Sequence, residues 1–262
     1  MEWLILGLVG VIVGFAGGYA GIGGAPFLVT ALVIAFERDQ HLAQGTVLAV
    51  MLGPMSLPGV VVMWDRVRVL LWPIALGVLS YAVFSNLGAR LAFSLHTSSL
   101  EALFGLLLTG LGVHYLIRRP QEADSSPLNP DGPTLHPSMI PFNRSTISVA
   151  SALIGVVGGL FGIGAGVLMV PLLISFFGLH KDDARAMSLA ILLPPVSIGA
   201  ILEYHVHDGI DWRVAGVLFV TYFVTNYSGA RLGRSHETGR FLYVMGAVLG
   251  ALGVVTIYRA LF

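Results

Sequence analysis

The first segment of the chain is longer than a single membrane helix, yet it contains no charged side chain. It runs from Trp3 to Phe36, which is 34 residues. As one continuous helix it would be roughly 51 Å long, because an α-helix rises about 1.5 Å per residue. The hydrocarbon core of a bilayer is only about 30 Å thick. We therefore expect an interruption inside this segment.

Glycines and a proline mark the interruption. Residues 17–26 read GGYAGIGGAP. Glycine weakens helix continuation, whereas Pro26 suits the first turn of a new helix, where its missing N–H costs nothing. Each half-helix would hold about a dozen residues, which is too short to cross the bilayer. The sequence therefore predicts two half-helices joined by irregular backbone.

The second half of the chain repeats the first without a gap at a shift of 141 residues. The glycine-rich break returns at residues 158–166 as GGLFGIGAG, and GARL at 88–91 returns at 229–232. Apolar helices that resemble each other by chance would exchange one aliphatic residue for another. They would not keep glycines, prolines and an arginine in register, so duplication is the better explanation. Other matched pairs are Pro54 with Pro195, Ser56 with Ser197, and Tyr81 with Tyr222.

The duplication divides the chain into two membrane repeats. We predict a first repeat at residues 1–118, a proline-rich polar linker at 119–145 and a second repeat at 146–262. Only 11% of the residues are charged and 56% are hydrophobic, which leaves too little charge to cover a soluble domain. The predicted fold class is all-α. Each repeat of this polytopic membrane protein has one glycine-broken first segment and three transmembrane helices.

Two topologies are consistent with such a repeat. If each broken segment crosses the membrane, the repeats are parallel, with four crossings each. If each is a re-entrant hairpin, three further crossings remain and the repeats are inverted. The parallel arrangement divides the 14 Lys and Arg residues 7 to 7 between the two sides, and the inverted one divides them 10 to 4. The positive-inside rule therefore favours inverted repeats with a cytoplasmic linker.

The broken segments are the candidate substrate site. Irregular backbone at membrane depth is tolerated only where protein, water or substrate satisfies its polar groups. Free N–H groups and the dipole at a helix N-terminus favour a bound anion. Glycines that only allow close helix packing are the alternative, and Gly14 with Gly18 fits that pattern. The candidate substrate-binding residues are Gly21, Gly23, Gly24, Gly162, Gly164 and Gly166 in the breaks, and Thr46 and Ser188 at the start of the helix after each break.

On these motifs the sequence resembles the sulfite exporter TauE/SafE family of bacterial membrane proteins, and the likeness covers both halves of the chain. It implies a multi-pass carrier in the bacterial plasma (inner) membrane that exports small sulfur-containing anions such as sulfite, sulfonates or sulfoacetate. The residues that carry it are 17–24 (GGYAGIGG), 158–166 with Val170-Pro171 after them, the helix starts at 43–47 and 184–188, and the two GARL motifs.

The sequence departs from the family pattern at two places. Members often carry a Thr-Ser pair in the helix start after the break, whereas here one repeat keeps Thr46 and the other keeps Ser188. Thr30 also replaces the proline that the second repeat has at Pro171. The split pair leaves the identity of the substrate open.

Three ionisable residues near predicted helix ends are further candidates. Arg90 and Arg231, which match each other in the repeats, either snorkel to the membrane interface or supply charge to the anion path. Glu203 has no counterpart in the first repeat, and it either couples transport to protons or marks an interfacial helix end. His205 and His207 are two residues apart and do not face together on a helix, so we predict no metal site.

Composition and motifs disfavour other function classes. Lys plus Arg equals Asp plus Glu, which gives no support for nucleic-acid binding. The chain has no cysteine and no HExxH, GxSxG or Walker motif, so we predict neither an enzyme nor a cofactor. The expected partners are a small anionic substrate and the lipid bilayer, and a homo-oligomer is left open. A non-transporting membrane partner or assembly factor and an anion channel stay open as alternatives.

Overall fold

Every regular element in the described part of the chain is a helix. The computed structural model describes residues 2–20, 23–117, 143–164, 166–235 and 239–261. No strand occurs within these ranges, which confirms the all-α prediction. The first repeat contains α1 (Glu2–Ala20), α2 (Ala25–Ile34), α3 (Gln40–Val50), α4 (Leu57–Val62), α5 (Trp64–Val67), α6 (Leu71–Ser94) and α7 (Thr97–Ile117). The second contains α8 (Arg144–Phe161), α9 (Gly166–Phe177), α10 (Lys181–Ile191), α11 (Ile198–Val206), α12 (Trp212–Ser235) and α13 (Gly239–Leu261).

The helices have the length and the surface of membrane helices. Five of those described, α1, α6, α7, α8 and α13, are long and apolar enough to cross a membrane. Many large apolar side chains point outward, with Leu4 and Phe176 being 79% and 83% exposed. Such a surface is unfavourable in water and favourable in lipid. The chain is therefore a multi-pass membrane protein.

The shift that relates the two halves of the sequence also relates the helices. α3 and α10 begin and end at positions that differ by 141, and so do α6 and α12. The helices α1, α2 and α7 match α8, α9 and α13 to within a few residues. The boundaries 1–118, 119–145 and 146–262 stay a prediction, because residues 118–142 lie outside the described part of the chain.

The first helix of each repeat packs against a helix of the other repeat. The first repeat's α1 lies along α12 of the second, and the second repeat's α8 lies along α6 of the first. A Cβ added at Gly18 would lie 2.2 Å from the Asn226 carbonyl oxygen, and one added at Gly159 would lie 2.0 Å from that of Ser85. Only glycine permits this approach, so α1 and α8 are each closely packed on a helix of the other repeat. The packing role considered for Gly14 and Gly18 is therefore present at this contact.

The equivalent helices α7 and α13 pack against each other in opposite directions. Gly105, early in α7, lies against Gly253, late in α13, whereas Gly112, late in α7, lies against Gly246, early in α13. The two equivalent helices therefore run antiparallel where they meet.

The overlong first segment folds back on itself. α1 ends at Ala20 and α2 begins at Ala25, so the expected interruption is present. The prediction that both half-helices are too short to cross the bilayer is wrong for the first one, because α1 has 19 residues and, like α8, is long and apolar enough to cross a membrane. Arg38 Nη2 donates to Glu2 Oε1 at 3.0 Å, which brings the turn after α2 to the start of α1. The two half-helices therefore form a helical hairpin.

Replacing Gly18 or Gly159 with alanine should destabilise the protein. Each added methyl group would overlap a carbonyl oxygen of the facing helix, and packed helices relax only in part. We expect a loss of about 1–3 kcal/mol in the free energy of unfolding. Thermal unfolding of the purified protein in detergent measures this loss.

Gly110 and Gly216 are the matched controls. They lie inside α7 and α12, and a Cβ added at either meets no atom within 4 Å. Alanine at these positions should leave the stability unchanged or raise it by up to about 1 kcal/mol, because alanine favours the helix over glycine. Equal losses at the packed and the open glycines would show that close packing is not the cause.

Candidate anion site

Three glycines give the two breaks their shape. The φ angles are +71° at Gly23, +66° at Gly162 and +67° at Gly164. This left-handed conformation costs a residue with a side chain roughly 1–2 kcal/mol, which is why glycine occupies these positions. Gly21, a further candidate, lies outside the described residues.

The two breaks come together at the ends of α3 and α10. A Cβ added at Gly23 would lie 3.6 Å from the Leu192 side chain. A Cβ added at Gly164 would lie 2.2 Å from the Met51 side chain and 3.4 Å from that of Leu192. Met51 and Leu192 are the equivalent C-caps of α3 and α10. One leucine side chain therefore borders both breaks, which lie side by side in the buried interior.

Each break leads into the N-terminus of a half-helix. α2 begins at Ala25, Pro26 lies in its first turn, and its N-cap, Gly24, has no side chain to cap it. The Gly24 carbonyl accepts hydrogen bonds from the amides of Phe27 and Leu28, both at 3.1 Å. α9 begins at Gly166, which is buried. The partial positive charge of each half-helix N-terminus lies at a break, which is where an anion is stabilised.

Two buried tyrosines that sequence reasoning did not assign to the site border the breaks. A Cβ added at Gly17 would lie 2.3 Å from the Tyr222 hydroxyl, and one at Gly158 would lie 2.1 Å from the Tyr81 hydroxyl. The same Cβ at Gly17 would lie 3.1 Å from the Gly24 nitrogen, so the Tyr222 hydroxyl and the start of α2 border one space. The sequence feature that could have identified them is a tyrosine at the same position of both repeats, within an otherwise apolar helix.

Thr46 and Ser188, both predicted to bind substrate, lie late in α3 and α10 and not at the start of the helix after each break, which is α2 or α9. Their surroundings differ. Thr46 Oγ1 accepts a hydrogen bond at 2.9 Å from the backbone N–H of Asp211, the residue before α12. Ser188 is fully buried on α10, and its hydroxyl has no hydrogen-bond partner among the described residues. Thr46 therefore holds a helix start, whereas the hydroxyl of Ser188 is free. Their role in substrate binding stays a prediction.

The charged candidates lie at the surface, away from the buried breaks. Arg90 Nε is 3.5 Å from Glu203 Oε2, so two residues that were considered separately in the sequence form one ion pair. Arg90 and Arg231 are both exposed. The role of these two arginines in the anion path stays a prediction. Proton coupling by Glu203 also stays a prediction. In the described part of the chain no group of three or more His, Asp or Glu side chains is placed to hold a metal ion.

An ion-pair cluster joins the two repeats beside the first break. Arg66 Nη1, on α5, donates to Asp183 Oδ1, on α10, at 2.8 Å. Arg185 is only 3% exposed, and it donates to Asp182 at 3.4 Å and to the carbonyl oxygen of Tyr19 at the end of α1. Burial of a guanidinium is costly without such partners. The cluster therefore ties the first hairpin to α10.

The equivalent positions of the other repeat carry an aromatic cluster. Gln44, which is 141 residues before Arg185, accepts a hydrogen bond at 2.8 Å from the Tyr204 hydroxyl. The Cα and Cβ of Gln44 lie against Gly162 in the second break. Phe93 packs on Tyr204 and His207, with ring centroids 4.9 and 4.1 Å away. The two breaks are therefore flanked by chemically different contacts.

Thr46→Val should destabilise the protein, and Ser188→Ala should not. Valine keeps the shape of threonine but leaves the N–H of Asp211 without its acceptor, which costs about 1–3 kcal/mol for a buried group. Ser188 has no hydrogen bond to lose, so its alanine variant should unfold within about 0.5 kcal/mol of the wild type. Thermal unfolding of both variants checks this difference, and a larger loss at Ser188 would contradict the geometry.

These features together define a class of protein. The chain is a multi-pass helical membrane protein with two related repeats, whose glycine-broken hairpins meet in the buried interior. A model of the sulfite exporter TauE/SafE family matches residues 3–256 of the 262, which confirms the resemblance seen in the sequence. The chain belongs to this family of membrane anion exporters. No curated protein and no solved structure matches the chain significantly.

Proposed function

We propose that the protein exports small sulfur-containing anions, such as sulfite, sulfonates or sulfoacetate, across the plasma membrane of a bacterium. The observation that carries the proposal is the convergence of the two breaks on Leu192. Two half-helix N-termini there bring amide donors and partial positive charge to one buried region. Membership of a family of sulfite exporters supports the same class of substrate.

In this proposal the repeats are inverted and each hairpin is re-entrant. The antiparallel packing of α7 and α13 supports inversion, since it requires an axis across the helices. The bond between Glu2 and Arg38 supports re-entry, because it returns the chain after α2 to the end where α1 begins. The division of Lys and Arg, 10 to 4, favours the linker side as cytoplasmic.

Transport follows from alternating access to the central breaks. The ion-pair cluster around Arg185 closes one end of the path, and the aromatic cluster around Phe93 closes the other. Each cluster joins a helix of one repeat to a helix of the other, so movement of the repeats against each other opens it. Opening the two ends in turn exposes the central site first to one side of the membrane and then to the other.

Flux measurements in proteoliposomes test the function. Sulfite, sulfoacetate and chloride are compared with the gradient in either direction. The proposal requires saturable flux of at least one sulfur anion. Absence of saturable flux in every gradient contradicts it and favours a non-transporting membrane partner, whereas flux that rises linearly with concentration favours an anion channel.

Gly23→Ala separates the transport site from helix packing. The added Cβ would meet only Leu192 at 3.6 Å, an ordinary contact, but the φ of +71° strains an alanine. We expect a folded protein, destabilised by about 1–2 kcal/mol. Its flux should fall roughly tenfold or more, because groups displaced from a binding geometry lose activity steeply. Thermal unfolding and flux are measured on the same preparation, and wild-type flux in the folded variant would exclude this break as the site.

Asp183→Asn should open the end of the path that the ion pairs close. Asp183 is buried and holds Arg66 at 2.8 Å. A hydrogen bond between charged groups contributes about 1.5–3 kcal/mol, so the ratio of closed to open protein should fall roughly tenfold or more. The natural chain has no cysteine, so a single Ser188→Cys substitution reports access through its rate of labelling by a thiol reagent. That rate should rise roughly tenfold with Asp183→Asn.

Arg38→Met in the same Ser188→Cys background is the control. It removes the ion pair with Glu2, whose side chains are 37% and 52% exposed. Exposed pairs contribute little to stability, so the labelling rate should not change. An equal rise in both variants would contradict a closing role for the ion-pair cluster.

A further inference from the structure

Tyr81 and Tyr222 are equivalent residues of the two repeats, and both are buried. They lie 141 residues apart, on α6 and α12, and are 0% and 1% exposed. Because α6 packs on α8 and α12 packs on α1, each tyrosine reaches the hairpin of the other repeat. Each hydroxyl fills the space left by the missing side chain of a glycine that precedes a break, Gly17 for Tyr222 and Gly158 for Tyr81.

The Tyr222 hydroxyl lies at the N-terminus of α2. It faces the backbone of Gly24 and the side chain of Asn226. Gly24, the N-cap of α2, has no side chain to cap the helix, so its buried backbone amide requires another acceptor. The hydroxyl oxygen therefore stands where an oxygen of a bound anion would accept from the start of the half-helix.

The Tyr81 hydroxyl is a buried donor that has no hydrogen-bond partner among the described residues. It is directed toward Ser197 but forms no hydrogen bond of normal geometry. Ser197 Oγ is 3.9 Å from Met51 Sδ, and Met51 borders Gly164 in the second break. An unpaired buried hydroxyl is unfavourable, so its presence beside a break indicates that a bound ligand accepts a hydrogen bond from it.

Other buried tyrosines of the described residues have ordinary structural partners. The Tyr204 hydroxyl donates to Gln44 Oε1 at 2.8 Å, and the Tyr115 hydroxyl donates to the carbonyl oxygen of Val167 at 3.3 Å. Both hydroxyls are already paired within the protein. A free hydroxyl directed at a break is therefore not a general property of tyrosine in this fold.

We infer that Tyr81 and Tyr222 bind the transported anion directly, each donating its hydroxyl hydrogen to the anion. The inference rests on the proposed function. In the empty protein the Tyr222 oxygen occupies the acceptor position at the start of α2. A bound anion takes over that position, and the hydroxyl turns to donate to it. An oxyanion has a separate oxygen for each of the two donors, so a sulfite or sulfonate suits this pair better than chloride.

Tyr81→Phe and Tyr222→Phe test the inference in the purified full-length protein. Phenylalanine keeps the ring packing and removes only the hydroxyl. The KM for sulfite flux and the Kd for sulfite should each rise about tenfold or more, because a hydrogen bond to a charged ligand is lost. Chloride binding should change less, which lowers the preference for sulfite over chloride. Thermal unfolding of the same samples shows whether the fold is retained.

Tyr115→Phe is the matched control. It removes the hydroxyl of a buried tyrosine that is paired with the carbonyl oxygen of Val167, so stability should fall while the KM and Kd for sulfite stay at wild-type values. If Tyr81→Phe and Tyr222→Phe behave in this same way, or keep both the affinity and the stability of the wild type, the inference is wrong. Absence of saturable sulfite binding to the wild-type protein would instead overturn the proposed function, and the inference with it.

Fluorine NMR of protein labelled with fluorotyrosine gives a second measurement that does not need the variants to transport. Each tyrosine resonance is assigned by its loss in the corresponding phenylalanine variant in detergent. Added sulfite should shift the Tyr81 and Tyr222 resonances, with the Tyr115 resonance unchanged. Equal shifts for all three, or none for Tyr81 and Tyr222, would contradict direct contact.

Discussion

Backbone polar groups inside a membrane protein need partners, and the two glycine breaks place such groups at the centre of this one. Much of the surrounding structure follows from that need. α1 and α8 are each packed along a helix of the other repeat, close enough that Gly18 and Gly159 admit no side chain. The same contact brings the hydroxyls of Tyr81 and Tyr222 to the breaks. The breaks are thus enclosed by groups that both repeats contribute.

The two repeats share a backbone plan but differ in the chemistry beside each break. Arg185 and Gln44 occupy equivalent positions, and each faces the hairpin of the other repeat. The guanidinium is buried, so it requires the Tyr19 carbonyl and Asp182 as partners. The amide oxygen of Gln44 accepts from the Tyr204 hydroxyl, and the Tyr204 ring packs on Phe93. Because ion pairs and aromatic packing differ in strength and in their response to salt, the contacts beside the two breaks differ in stability.

Much of the fold could be predicted from local features of the sequence. The length of the uncharged segment required a break, and Gly23, Gly162 and Gly164 do adopt the conformation that only glycine tolerates well. The contacts of the site were harder to predict. Thr46 holds the start of α12, and Arg90 pairs with Glu203. Neither contact could be predicted, because each joins residues more than 100 positions apart. No local pattern specifies such partners.

The sequence by itself determined that this chain is helical, duplicated, suited to a membrane and interrupted at two glycine-rich points. Each of these properties depends on residue type and spacing within one segment, or on the register between two segments. Only the tertiary structure decided that the first helix of each repeat packs on the other repeat and that both breaks border Leu192. It also decided that the hydroxyls of Tyr81 and Tyr222 lie beside the breaks. Those properties depend on the distance between helix axes, which the packing of distant glycines sets.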